Sequence, residues 1–261
     1  MHLPPITDKQ TQILLSLYKF RFLTTHHFQR LLNHKNPKRI QIWLKDLKDK
    51  QYITTLPTTN TFTDNAKPYI YHLATKARHI LKNHTTCDLS ILDKIYKEKT
   101  RTPSFITHCL TLANVYLFFL SQKKPDEELF FFTGNELTNY DYLPEQLPSA
   151  YIALRRKKQV KRYFLELFYP YATAGVLRYK FRAYLKYADS GTWETNENNK
   201  PFPTVLFICP SQRLKNHISF YAKGVYQKSY EEKINLFVTT ETMLLHGDGG
   251  NVWEKVDYKA E

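Results

Sequence analysis

Two stretches, Leu147-Pro148-Ser149-Ala150 and Tyr163-Phe164-Leu165-Glu166-Leu167-Phe168, bring together residue types that bear on metal-assisted chemistry. Glu166, with Glu136 upstream, supplies carboxylates of the kind Mg²⁺ needs. That ion takes near-octahedral oxygen ligands and is usually held beside a phosphate by acidic side chains. Ser149 offers only a neutral, weaker oxygen, and Phe168 offers none. Asp141 and Glu145, between the two glutamates, are the further acids on which a divergent endonuclease would have to draw.

A second chemical set lies in the first third of the chain. Thr25 and His26 fall at the expected start of a helix, where backbone N–H groups commonly hold a phosphate. Lys38, Gln41, Ile42, Lys45 and Asp49 fall on one face of the next helix, and Lys38 and Arg39 lie at its start. Lysine and arginine reach phosphate or guanine edges, glutamine pairs with adenine, and isoleucine meets a thymine methyl. Lys67 adds a basic residue to the loop that would form a wing. The His26-His27 pair lacks a Glu or Cys at ligand spacing and reads as a cap and surface feature.

The elements that must position these residues follow from periodicity. Thr7-Asp8 caps a helix carrying Ile13, Leu14 and Leu17, and Thr24 or Thr25 caps a second with Phe28, Leu31 and Leu32. Asn36-Pro37 starts a third, Lys38 to Lys50, expected to bury Ile40, Trp43, Leu44 and Leu47. Two β-like runs, 51–55 and 69–73, and a short helix, 75–81, complete a winged helix-turn-helix order over residues 1–86. Residues 87–102 read as a helical connector. From Pro103 onward a strongly apolar helix precedes strands expected at 129–133, 150–154, 163–169, 205–209 and 236–240, with helical stretches at 172–187 and 211–226. Near-continuous apolar strands alternating with helices indicate an α/β sandwich over residues 103–261. Gly247-Asp248-Gly249-Gly250 reads as a plain turn, since its spacing is no phosphate-binding fingerprint.

Composition narrows the partners. The chain of 261 residues has a net charge of +14, which favours a polyanion because each phosphate neutralised releases a counterion. Residues 1–86 hold 14 Lys and Arg against 4 Asp and Glu, a net +10, whereas residues 87–261 hold 24 against 20, a net +4. Cys87, Cys109 and Cys209 are far apart and odd in number, as expected of reduced thiols and not of a disulfide scaffold or zinc knuckle. The first residues do not read as a signal peptide, and the longest apolar run, Leu112 to Leu120, is too short to span a bilayer. A cytoplasmic protein with no membrane partner is expected.

Order and spacing together resemble the replication-relaxation family of plasmids and mobile elements, from about Thr7 to Trp253. The residues carrying the resemblance include Tyr71-His72-Leu73-Ala74-Thr75-Lys76-Ala77, His108 with Ala113-Asn114-Val115, and Thr133 with Glu136. Pro148-Ser149-Ala150 stands where the family has Pro-Asp-Ala, and Phe164-Leu165-Glu166-Leu167-Phe168 where it has Phe-Leu-Glu-x-Asp. Tyr179-Lys180 with Tyr184 and Tyr187, then Pro203 through Pro210, extend the match. The resemblance implies a winged helix followed by a restriction-endonuclease-like α/β domain, acting in replication or transfer of mobile DNA.

Two departures define the expectation. Ser149 and Phe168 replace acids, leaving a vestigial set of Glu136, Ser149, Glu166 and Lys180. Lys161 or Lys180 stands near enough in sequence to take the place of a missing lysine, which would not restore a metal. The expected protein is thus a sequence-specific double-stranded DNA-binding protein with an inactive nuclease-like domain, no catalytic residues, no metal and no cofactor. Its further partners would be a second copy, as a homodimer, and replication or transfer proteins. A divergent Mg²⁺-dependent endonuclease or nickase and a transcriptional regulator stand as alternatives.

Overall fold

The computed structural model describes residues 5–56, 68–229, 234–246 and 251–257. Lys67 and the Gly247–Gly250 turn lie outside the described residues. The chain divides into two compact units, Met1–Leu117 and Phe118–Glu261. The boundaries read from the sequence come after residues 86 and 102, whereas this division falls inside a helix.

The first unit opens with α1 (Asp8–Phe20), set by a capping box. The Thr7 hydroxyl accepts from the Gln10 N–H, and the Gln10 side chain accepts from the Thr7 N–H. The helix buries Ile13, Leu14 and Leu17 and ends at Arg21, whose φ of 69° turns the chain. β1 (Leu23–Thr24) leads into α2 (Thr25–Leu31), where Thr24 is the cap. Asn36 caps α3 (Pro37–Asp49), whose Pro37 sits in the first turn, where its missing N–H costs nothing. Ile40, Leu44 and Leu47 recur at helical spacing and are buried. β2 (Ile53–Thr55) and β3 (Ile70–Leu73) pair antiparallel, Ile53 opposite Leu73, and β1 joins the far side of β3.

Trp43 differs from expectation. It is half-buried, with the Arg39 guanidinium 5.7 Å above its ring and His34 at its edge, so it caps the core instead of filling it. A 3₁₀ turn (Thr75–Ala77) and α4 (Arg78–Leu81) form the short closing helix. In the connector, α5 (Leu89–Leu92) and a 3₁₀ helix (Ile95–Thr100) are tied back to the three helices. Arg21 donates to buried Glu98 from Nη2 at 2.5 Å and from Nε at 3.1 Å, and its guanidinium lies over Phe105. Phe22 is sealed beside Ile106 and Cys109 of α6 (Pro103–Gln122). By length and composition alone α6 could cross a bilayer. Every residue from His108 to Leu120, however, is buried or half-buried.

The second unit holds a six-stranded mixed sheet in the order β4 (Glu128–Thr133), β5 (Ala150–Arg156), β6 (Gln159–Leu167), β7 (Thr204–Cys209), β8 (Leu236–Thr240), β9 (Glu254–Lys255). β6, β7 and β8 run parallel, and the other pairings are antiparallel. Parallel neighbours need crossovers. These are α8 (Ala174–Asp189), followed by the short α9 (Thr192–Asn196), and then α10 (Gln212–Ser229). α7 (Gly134–Leu137) and α11 (Glu241–His246) follow β4 and β8. Leu177, Phe181 and Tyr184 of α8 and Ile218 and Ala222 of α10 share one core with Phe164, Val205, Phe207 and Val238 of the sheet. The architecture is mixed α+β with a mixed sheet.

Candidate nucleic-acid interface and the carboxylate cluster

In the first unit the α3 face is open. Lys38, Arg39, Gln41, Ile42 and Lys45 are all exposed, and Ile42 leaves 57% of its surface in water although it is a large aliphatic residue. Ile40, Leu44 and Leu47 anchor the opposite side, so the register of the exposed row is fixed by the core. Thr25 is half-buried at the first turn of α2 and His26 is exposed beside it. His27 points inward: its Nδ1 accepts from the Thr24 N–H at 3.2 Å and its Nε2 meets Asn114 Oδ1 at 3.0 Å. Burial lowers the His27 pKa, which suits a neutral ring with one acceptor and one donor nitrogen.

The second unit gathers part of the set Glu136, Ser149, Glu166 and Lys180. Glu166, near the end of β6, is buried, and its Oε1 accepts from Lys180 Nζ at 2.9 Å and from Tyr184 Oη at 2.7 Å. Lys180 and Tyr184 lie four residues apart on α8, so one helix face delivers both donors. Burial pushes the Glu166 carboxyl up, opposed first by the Lys180 ammonium and then by the Tyr184 hydroxyl. The Tyr184 hydroxyl is itself raised, by burial and then by the glutamate beside it.

Ser149 and Phe168 have structural partners. Ser149 Oγ accepts from the Leu167 N–H at 3.1 Å, extending the β5–β6 pairing by one bond. The Phe168 ring is buried at 4.9 Å from that of Phe207, in an edge-to-face contact. Glu136 completes a capping box at α7, accepting from the Thr133 N–H at 2.8 Å and the Thr133 hydroxyl at 3.0 Å. The Gly134 N–H bonds Ser149 O, so the turn bearing Glu136 abuts the Ser149 strand.

Each of these residues already serves a neighbour within the chain. One carboxylate is neutralised by a lysine, another is spent on a helix cap, and the serine oxygen already accepts a backbone N–H. Among the described residues no group of three or more His, Cys, Asp and Glu side chains could hold a metal ion.

Beside the cluster, Tyr142, Tyr179, Lys180, Arg182, Lys186 and Tyr187 help line a cleft of about 540 Å³ between α8 and the 141–146 loop. The outer surface of α8 and α10 is basic and aromatic, a property that the net +4 after residue 86 conceals. The two helices hold eight Lys and Arg, six of them exposed, and a single acid, Asp189. Reading charge helix by helix, instead of by thirds of the chain, exposes it.

The family model for replication-relaxation matches residues 14–203. The chain belongs to the replication-relaxation family. The matched span of this family member contains the α3 row, Glu136, Ser149, Glu166 and Lys180, and stops before α10. Among solved structures, restriction endonuclease FokI is similar at 14% identity and a TM-score of 0.34, over 93% of this chain and 44% of the FokI chain. The chain thus spans less than half of that enzyme's length, and the likeness is too distant to carry an argument. No curated protein matches.

Proposed function

We propose that this member of the replication-relaxation family is a sequence-specific double-stranded DNA-binding protein whose first unit is a winged helix. In this reading α2 and α3 form the helix-turn-helix, α3 enters the major groove, and the β2–β3 hairpin is the wing. The observation that carries it is the exposed α3 row, where Lys38, Arg39, Gln41, Ile42 and Lys45 face solvent on a helix locked from behind. Lys38, Arg39 and Lys45 supply phosphate contacts or guanine recognition, Gln41 adenine recognition, and Ile42 an apolar contact to thymine. The Thr25-His26 turn offers backbone N–H groups to a flanking phosphate.

The second unit is read as a nuclease-like domain that does not hydrolyse DNA. The bonding of Glu166, Glu136 and Ser149 supports this, because each already serves a neighbour within the chain. Family membership supports a role in replication or transfer of a mobile element, with regulation of transcription as the same chemistry used at a promoter.

Fluorescence anisotropy with duplex DNA across a salt series tests the proposal. Binding should weaken steeply with salt and be lost in a Lys38→Ala, Arg39→Ala, Lys45→Ala triple variant. Absence of duplex affinity at low salt would remove it. Nicking of supercoiled plasmid with Mg²⁺ that disappears in Glu166→Gln would reinstate the endonuclease alternative.

A further inference from the structure

We infer that the outer face of α8 and α10 is a binding surface for single-stranded DNA, separate from the α3 row. Arg178 and Arg182, one turn apart on α8, both lie over the Tyr221 ring of α10, at 5.6 and 5.4 Å from its centre. Arg182 Nε also donates to Tyr221 Oη at 2.5 Å. The two guanidinium groups are therefore held side by side before any ligand arrives, which reduces the ordering cost of binding. Arg213 and Lys223 are exposed on α10, and Lys186 on α8. Among the described residues none of these five makes a salt bridge. The two other lysines facing the interior, Lys180 and Lys215, are paired with Glu166 and Glu254.

The charge calls for a polyanion, and the aromatic residues distinguish which kind. Phe220, the residue before Tyr221, is 82% exposed, and Tyr179, the residue after Arg178, is 58% exposed at the edge of the 141–146 cleft, where its hydroxyl accepts from Gln146 Nε2 at 3.2 Å. Open rings beside fixed guanidinium groups match the two needs of a single strand. Its backbone follows positive charge, and its unpaired bases stack on aromatic faces. A duplex keeps its base faces inside the stack and gains nothing from Phe220 or Tyr179. Charge complementarity and accessible stacking surfaces thus commit this face to a single strand.

The inference stands apart from the winged-helix reading, because its residues are in the other unit. The test uses the full chain, a fluorescent oligothymidylate of about 20 nucleotides and a duplex of the same length. Phe220→Ala and Tyr179→Ala should each weaken oligothymidylate binding about tenfold and leave duplex binding unchanged. Arg178→Ala with Arg182→Ala should flatten the salt dependence of single-strand binding by about 1.4 in slope. Lys223→Glu, a solvent-facing change, gives an independent charge test and should weaken the single strand only. The triple variant in α3 should show the reverse pattern. The inference is overturned if oligothymidylate does not bind, if the ring variants bind it as the parent does, or if oligouridylate binds more tightly. Loss of both ligands in the α3 variant would also overturn it, by assigning both to one surface.

Discussion

The α3 face and the Glu166 cluster both carry polar side chains and use them in opposite ways. On α3, Lys38, Arg39, Gln41 and Lys45 project into solvent, with the fold held by other residues. Around Glu166, the lysine, tyrosine and serine are spent on neighbours within the chain. An open polar row can be altered with little cost to stability and a large cost to recognition. A closed polar cluster should behave the other way round. The carboxylate that invites a catalytic reading is bonded within the chain, and the modest helix face is the one left exposed.

Restoring the acids gives the sharpest contrast. Phe168→Asp removes a ring packed on Phe207 and buries a carboxylate, so it should cost at least about 4 kcal/mol in urea unfolding. Combined with Ser149→Asp, it should still yield no Mg²⁺-dependent nicking of plasmid. Activity gained without loss of stability would break the comparison.

Glu166→Ala leaves Lys180 and Tyr184 facing a partly buried gap and should destabilise by about 3 kcal/mol. Replacing the pair with Glu166→Leu and Lys180→Met should recover most of that loss. A single variant as stable as the parent would mean the cluster is open after all.

The two units should also answer pH with opposite signs. Burial lowers the pKa of His27 and His72, and that of His108 to about 4, all in the first unit. A lowered histidine contributes stability that is complete above about pH 6.5 and is lost as pH falls towards 4. The loss expected from His108 is about 3 kcal/mol, absent in His108→Gln. Glu166, raised by burial, contributes stability that is complete below the ordinary carboxylate range and is lost as pH rises through its folded value. Unfolding curves from pH 7.5 to 4 for the parent, His108→Gln and Glu166→Gln separate the two contributions.

The smallest effects belong to α3. Gln41→Ala should cost about 1–2 kcal/mol of discrimination at one base pair. Its unfolding free energy should stay within about 0.5 kcal/mol of the parent. Selection from a randomised duplex library would reveal relaxed preference at a single position, whereas uniform weakening would take Gln41 out of the groove.

Sequence periodicity revealed most of the elements because their signals are local. Thr7 with Gln10, and Asn36-Pro37, mark helix starts by chemistry that works within three or four residues. Ile40, Leu44 and Leu47 fix the α3 face in the same way. The sequence offered Lys161 or Lys180 for the place of a missing lysine without choosing between them, and Lys180 lies 2.9 Å from Glu166. What it left open depended on partners distant in sequence. That Glu166 also accepts from Tyr184, and that Ser149 accepts from Leu167, are consequences of strand register and helix docking. Arg178 and Arg182 were missed because their meaning depends on Tyr221, on another helix.

The contact between Arg21 and Glu98 bears on how the protein is made. Its partners are 77 residues apart, and Phe22, alongside, is closed off by Ile106 and Cys109. A nascent chain released only as far as residue 86 would hold all three helices and the hairpin, yet Phe22, though in contact with His72, would lack Ile106 and Cys109, and Arg21 would lack its acceptor. Ribosomal synthesis must deliver α6 before the first unit can seal, so the helices placed earliest in the sequence complete their packing late.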